Sequence, residues 1–125
     1  MKKVIHTEAA PEPVGPYSQA LQVGKFLFVS GQVAIDPKEG RIVASGIREQ
    51  TNRVMKNIKE ILHAAGYSLA DVAQSNVYLS SMNLFSEFND EYGKYFDKVF
   101  PARATVGIEL MAGALVEISV VAYKE

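Results

Sequence analysis

The chain has 125 residues, of which 48% are hydrophobic and 22% charged, so it fits a single globular domain, 1–125. A net charge of −1 argues against proteins that bind duplex nucleic acid or anionic membranes through a basic surface. Cysteine is absent, which excludes disulfides, thiolate nucleophiles and cysteine-ligated metals.

The first residues do not have the pattern of a targeting segment. Lys2 and Lys3 are basic, but no apolar stretch follows them, so we expect no signal peptide. No stretch reaches the roughly 18 consecutive apolar residues that a membrane helix needs. We therefore expect a soluble, cytoplasmic protein.

The first third of the chain predicts strands joined by an ordered loop. Residues 4–6 predict a short opening strand, and three prolines within residues 9–17 exclude a helix or a central strand there. Residues 20–23 and 26–33 predict a hairpin about the two-residue turn Gly24-Lys25. The second strand of this hairpin is apolar on both faces, which is typical of a strand covered on both sides.

Hydrophobic periodicity predicts two amphipathic helices. The first spans residues 47–65 and ends at Gly66, the second spans 84–96, and a strand at 72–79 lies between them. The apolar stripe of the first helix comprises Ile47, Thr51, Val54, Ile58, Ile61, Leu62 and Ala65. The apolar face of the second comprises Leu84, Phe85, Phe88, Tyr92, Tyr95 and Phe96. Both helices are therefore expected to pack against a sheet.

Two strands, at residues 100–107 and 115–123, are predicted to close the chain, because apolar and β-branched residues dominate both. The short connection between them predicts antiparallel pairing. This pairing would bring Arg103 and Glu117 onto one face and leave the opposite face, with Ala104, over a core. The polar face allows two interpretations: a solvated cross-strand ion pair, or a covered site in which the arginine captures a carboxylate.

The element order β-ββ-α-β-α-ββ predicts an α+β two-layer sandwich of ferredoxin-like character. About six strands would form a mixed sheet with two helices on one face. The other face would then be bare, although its strands are apolar there as well. A closed symmetric assembly of identical subunits is the simplest cover, and it would place Arg103 and Glu117 in a cleft between subunits.

Seven short motifs occur in order along the chain: Gly15-Pro16-Tyr17-Ser18-Gln19-Ala20, Phe28-Val29-Ser30-Gly31-Gln32, Ile35-Asp36-Pro37, Ala64-Ala65-Gly66, Asn89-Asp90-Glu91-Tyr92, Phe100-Pro101-Ala102-Arg103 and Val116-Glu117-Ile118. Together they resemble the RidA (YjgF-type) enamine/imine deaminases. The resemblance implies a chorismate-mutase-like fold and a homotrimer with sites between subunits. It also implies hydrolysis of 2-aminoacrylate, 2-iminopropanoate and 2-iminobutanoate to 2-keto acids and ammonia, without a cofactor.

The resemblance implies a role for each of two charged residues. Arg103, which places the chain with the deaminating branch, would hold the carboxylate of a small imino acid by a bidentate pair. Glu117 would position water and transfer protons to the departing ammonia. An apolar surround from Val116 and Ile118 would raise the pKa of Glu117, whereas Arg103 would lower it.

Four further residues are candidates for binding substrate, and each has a plainer alternative. Tyr17 could close the pocket or pack in a turn, and Gly31 could allow close approach of the backbone or mark a bulge. Asn89 could line the site or make a helix-edge contact, and Thr105 could line the cleft or be an ordinary strand threonine. The two histidines lack the spacing of metal ligands, so no metal site is predicted.

Two departures from the family pattern stand out. The usual Leu-Pro before the last strand is replaced by residues 110–113, which leaves the geometry of this loop open. Ser119 occupies a position where many members carry a second glutamate, and we expect this difference to affect substrate preference.

Two other functions compete with the deaminase interpretation. One is a regulatory trimer that binds small carboxylates without turnover. The other is an RNA-directed endonuclease or translation inhibitor, an activity ascribed to some relatives. The charge disfavours the RNA-directed activity, because binding to backbone phosphates requires a basic patch.

Overall fold

A computed structural model describes residues 1–125. The strands are β1 (Lys2–Ile5), β2 (Ala20–Val23), β3 (Phe26–Gln32), β4 (Ile35–Asp36), β5 (Arg41–Ile42), β6 (Val72–Leu79), β7 (Ala102–Gly107) and β8 (Val116–Tyr123). The helices are α1 (Ile47–Ala64) and α2 (Phe85–Tyr92), with 3₁₀ turns at Leu69–Asp71, Met82–Leu84 and Gly93–Tyr95. The predicted order of elements is confirmed, and β4 and β5 add a small hairpin that was not predicted.

Six strands form one mixed sheet in the order β1-β2-β3-β8-β6-β7. β6 and β7 are parallel, and every other neighbouring pair is antiparallel. α1 packs on β3 and β8, and α2 packs beside α1 over β6, where the Tyr92 hydroxyl donates to Ser75. This arrangement confirms the predicted two-layer α+β sandwich. Neither helix has both the length and the apolar character that crossing a membrane requires.

The pairing predicted for the last two strands is wrong, because β6 lies between β7 and β8. The connection between them passes the end of β6. There the N–H of Ile108 donates to the Leu79 carbonyl and the N–H of Ser80 donates to the Leu115 carbonyl. A connection of this length easily spans two strand spacings, about 10 Å, so its shortness does not require the two strands to be neighbours.

The intervening strand also reverses the predicted faces. The register places Arg103 beside Ser75 of β6, and Ser75 beside Val120 of β8. Because neighbours in register point to the same side of a sheet, Arg103 and Thr105 lie on the helix side. Glu117 is three positions from Val120 in β8, so its side chain lies on the opposite side of the sheet, which no helix covers.

The uncovered face of the sheet is largely apolar. Phe26 and Phe28 are each 46% exposed and Tyr123 is 40% exposed, and the Phe26 and Tyr123 rings are 5.0 Å apart. Ala104, which was predicted to cover a core, is also exposed on this face, as is Val106. A contiguous apolar patch of this kind is typical of a surface that another protein covers.

α1 forms nearly as its sequence pattern predicts. It ends at Ala64, one residue before the predicted end, and Gly66 follows with φ of +82°, a conformation that other residues rarely adopt. Its buried residues include Ile47, Thr51, Val54, Ile58, Ile61 and Leu62, all of which belong to the predicted stripe. This stripe forms the core with the helix side of the sheet.

The helix predicted over residues 84–96 is divided, because only Phe85–Tyr92 is α-helical and 3₁₀ turns flank it. Glu91 fixes this short helix to α1. Its carboxylate accepts hydrogen bonds from Lys94, Asn52 and Arg48, which lower the pKa of Glu91 to about 2. The position of α2 over the sheet therefore depends on a partly exposed polar network around the buried Glu91 as well as on apolar packing.

Candidate active site

The six predicted site residues form two groups on one chain. Tyr17, Gly31 and Glu117 line one cleft, whereas Asn89 and Arg103 line another and Thr105 follows Arg103 on the same side of β7. Strand geometry puts the Cα atoms of Arg103 and Glu117 roughly 14 Å apart, with side chains on opposite faces. The chain therefore does not bring the two charged residues together within one subunit.

The Glu117 cleft has a volume of about 370 Å³. The Glu117 carboxylate is partly buried there and has no hydrogen-bond partner within the chain, and burial raises its pKa. Val116 and Ile118 do not surround it as predicted, since both point into the core. Arg103 does not lower the pKa of Glu117 within one chain, because it lies on the other side of the sheet.

Gly31 lies in a bulge, as one of its two interpretations predicted, and it also lies against Glu117; its contact with substrate stays a prediction. The register between β3 and β8 shifts between Val29 and Gln32, which accommodates one extra residue in β3. A methyl group added at Gly31 would lie 3.0 Å from Glu117 Cδ and overlap the carboxylate oxygen. Only glycine allows the carboxylate to take this position.

Tyr17 stands at the mouth of the same cleft on a loop that a buried glutamine organises. Gln19, only 2% exposed, accepts the N–H of Thr7 at 2.7 Å and donates to the carbonyls of Thr7 at 3.0 Å and Pro11 at 2.9 Å. The Tyr17 hydroxyl accepts the N–H of Val14 at 3.3 Å, and its side chain is half-exposed. The loop is therefore held in place while the tyrosine ring remains available to a ligand.

Arg103 is surrounded by aromatic rings instead of carboxylates. Its Cζ lies 5.1 Å from the centre of the Tyr92 ring, 5.5 Å from Phe88 and 5.6 Å from Phe85. Tyr92 is itself fixed by its hydrogen bond of 2.9 Å to Ser75, the residue beside Arg103 in the sheet. Cation–π contacts stabilise a guanidinium without occupying its N–H donors. Arg103 can therefore offer its full fork to an incoming carboxylate.

Three buried side-chain oxygens in the chain lack a hydrogen-bond partner, and two of them belong to the Arg103 group: Asn89 Oδ1 and Thr105 Oγ1. An unpaired buried acceptor or hydroxyl costs about 1–3 kcal/mol, so a partner from outside the chain would relieve it. No cluster of three or more histidine, aspartate or glutamate side chains could hold a metal ion.

Sequence reasoning did not identify the aromatic surroundings of Arg103. Phe85, Phe88 and Tyr92 were assigned to the apolar face of a helix, with no indication that β7 runs beneath it. The signal that could have shown this is the β-α-β order of β6, α2 and β7, because a strand, a helix and a second strand usually make a parallel crossover. That pattern places β7 beside β6 instead of beside β8.

Residues 7–124 match a family model described as Endoribonuclease L-PSP. A RutC family protein of Pyrococcus horikoshii is 53% identical over the whole of both chains. The 2-iminobutanoate/2-iminopropanoate deaminase of Bos taurus is 42% identical over 98% of this chain and 90% of its own length. The crystal structure of a conserved Rid family protein from Yersinia pestis superposes with a TM-score of 0.95 at 41% identity, covering 99% of this chain and all of the other.

Proposed function

Because the chain belongs to the endoribonuclease L-PSP family, the RidA (YjgF-type) family that its motifs resemble, we propose that it is a 2-iminobutanoate/2-iminopropanoate deaminase. Its substrates would be small 2-imino acids, including those formed from enamines such as 2-aminoacrylate. The observation that carries the proposal is the pair of unpaired charged groups, Arg103 among aromatic rings and Glu117 in a cleft. The deaminase name of the bovine relative supports the same activity.

The active site is proposed to form between subunits of a homotrimer. Each chain exposes a cationic half-site containing Arg103 and an acidic half-site containing Glu117, on opposite sides of its sheet. A closed ring joins unlike surfaces head to tail, so each interface would place one half-site of each kind together. The unpaired oxygens of Asn89 and Thr105 and the apolar open face would also be covered in such an assembly.

The chemistry needs only water and the two charged groups. Arg103 binds the substrate carboxylate, which fixes the neighbouring imine carbon opposite Glu117 of the partner subunit. Glu117 accepts a proton from water as the oxygen attacks that carbon, and it returns the proton to nitrogen. Glu117 then takes the hydroxyl proton of the resulting tetrahedral carbinolamine and passes it to nitrogen as the C–N bond breaks, which releases ammonia and leaves the C=O of the 2-keto acid. No oxidant, reductant or metal takes part in this balance.

A coupled assay tests the proposed activity. A pyridoxal-phosphate-dependent serine dehydratase releases 2-aminoacrylate, and trapping with semicarbazide reports how much imine remains. We expect the assembled protein to accelerate the loss of imine and the appearance of pyruvate. Decay at the rate of the protein-free reaction, together with tight binding of pyruvate, would favour the non-catalytic regulatory trimer.

Gly31→Ala is expected to lower kcat by about 10²-fold, because its methyl group would displace the Glu117 carboxylate by about 1 Å. Gly46→Ala is the matched control, since its methyl would meet only the Glu49 side chain at 3.6 Å. Both variants should keep the circular dichroism and the mass of the native assembly. Native turnover by Gly31→Ala would show that the position of Glu117 against Gly31 does not matter for catalysis.

A further inference from the structure

The loop between β7 and β8 forms part of the wall of the Glu117 cleft. Met111, in this loop, lines both the cleft and a neighbouring cavity of about 560 Å³, and Ile35 is the other residue common to both. Met111 therefore stands at the boundary between the two spaces. This is the segment in which the chain departs from the usual Leu-Pro of its family.

A buried glutamine holds the loop in place from beneath. Gln50 of α1 is 1% exposed and donates to the carbonyls of Gly113 at 2.8 Å and Ala44 at 3.1 Å. Its own carbonyl accepts the N–H of Leu115 at 2.8 Å. Gly113 has φ of +86°, and the N–H of Ala114 closes the turn onto the Met111 carbonyl at 3.0 Å. Gln50 thus fixes the backbone on the C-terminal side of the turn, and the turn's own hydrogen bond holds the Met111 carbonyl.

The side chain of Met111 remains free although its backbone is fixed. It is 53% exposed, so its rotamer is not fixed by burial within the chain. An unbranched thioether adapts to the shape of what it contacts. Ile35 and Val33 add apolar surface to the same cleft, so the part of the cleft away from the Glu117 carboxylate suits a short hydrocarbon group.

We propose that Met111 limits the size of the substrate side chain, which makes the site select 2-imino acids with short alkyl groups. The inference rests on the proposed function, since it places the imine carbon beside Glu117. With the carboxylate held by Arg103 of the partner subunit, the substituent on the imine carbon points along the apolar wall and meets Met111. The residue is a specificity determinant: it contacts the substituent and takes no part in proton transfer.

Rate constants for two imines test the inference. An L-amino acid oxidase generates 2-iminobutanoate from 2-aminobutyrate and a bulkier imine from leucine, and semicarbazide trapping follows both. We expect Met111→Ala to reduce the preference for the smaller imine by about 10-fold, since an added methylene in an apolar pocket changes kcat/KM by about 10- to 200-fold. Met111→Leu, which conserves volume, should keep the native preference.

The two outcomes that contradict the inference are distinguishable from failure of the function. If the native protein hydrolyses 2-iminobutanoate but all three proteins show the same preference, Met111 does not set the size limit. If the native protein accelerates neither imine, the proposed function itself is wrong, and the inference falls with it. Loss of fold is a small concern, because Met111 is half-exposed. Unchanged thermal unfolding of Met111→Ala would exclude it.

A second variant tests the role of the loop without touching the cleft. Gln50→Leu removes two hydrogen bonds that hold the loop, and a third to Ala44 before α1, and keeps a side chain of similar length. If the fixed backbone positions Met111, this variant should shift the preference toward the larger imine, in the direction of Met111→Ala. A loss of stability with an unchanged preference would show that Gln50 supports the fold alone.

Discussion

Arg103→Ala is expected to reduce kcat/KM for 2-iminopropanoate by about 10²- to 10³-fold. Truncating one member of a desolvated, hydrogen-bonded charge pair costs about 2–5 kcal/mol, and each 1.4 kcal/mol is a factor of ten. The loss should raise KM strongly, because the substrate carboxylate would have no other cation to bind in this half-site. The rate of imine loss, followed by trapping with semicarbazide at several dehydratase fluxes, gives kcat and KM.

Two further variants make this result specific. Arg103→Lys keeps the charge but not the planar fork, so we expect an intermediate loss, since a bidentate pair needs the guanidinium. Arg41→Ala is the matched control, because Arg41 is an exposed arginine whose ion pair is with Glu39, outside both half-sites. Native kinetics for Arg103→Ala would remove the arginine from the mechanism.

Glu117→Gln is expected to lower kcat by about 10²- to 10⁴-fold, the usual contribution of a positioned acid–base group. Binding of the product pyruvate should change little, because Arg103 holds the carboxylate. Calorimetric titration with pyruvate separates this result from a general loss of the site. A variant that turns over normally but no longer binds pyruvate would reverse the roles assigned to the two residues.

The same substitution has a predicted effect on stability. Burial raises the pKa of Glu117, so the folded chain holds its proton more tightly than the unfolded chain. Stability contributed by this group is therefore present at low pH and lost as pH rises through the raised pKa. Glu117→Gln should be at least as stable as the native protein at neutral pH while losing activity, as urea unfolding at pH 5 and pH 8 would show. Glu87→Gln, an exposed neighbour of Arg48, is the control.

Local signals in the sequence were sufficient to predict α1, the approximate position of α2 and the six strands of the main sheet. The two-residue turn at Gly24, with φ of +60°, and the helix end at Gly66 both follow from the conformations that glycine allows. The strand at residues 72–79 was predicted with its exact bounds. The order of strands was not predicted for β7 and β8, because pairing depends on contacts between distant residues that leave no local pattern.

The site was predictable as a set of residues but not as an arrangement. All six candidates line or adjoin one of the two half-sites, yet Arg103 and Glu117 were expected on one face of one sheet. Alternation within a strand shows which of its residues lie on the same face. It does not show which face of another strand, two positions away in the sheet, lies on that same side. The aromatic rings around Arg103 and the place of Met111 in the wall of the Glu117 cleft depend on how distant segments pack, so both emerged only from the structure.

Mixing of inactive subunits tests most directly whether each site is shared between two chains. Arg103→Ala and Glu117→Gln chains carry different tags, are co-expressed in equal amounts, and are purified as mixed assemblies. If each site takes its arginine from one chain and its glutamate from the next, every mixed trimer contains one native site among its three, so roughly one third of the native activity returns. Activity near that level is expected, whereas mixed assemblies no more active than the separate variants would contradict a site built between subunits.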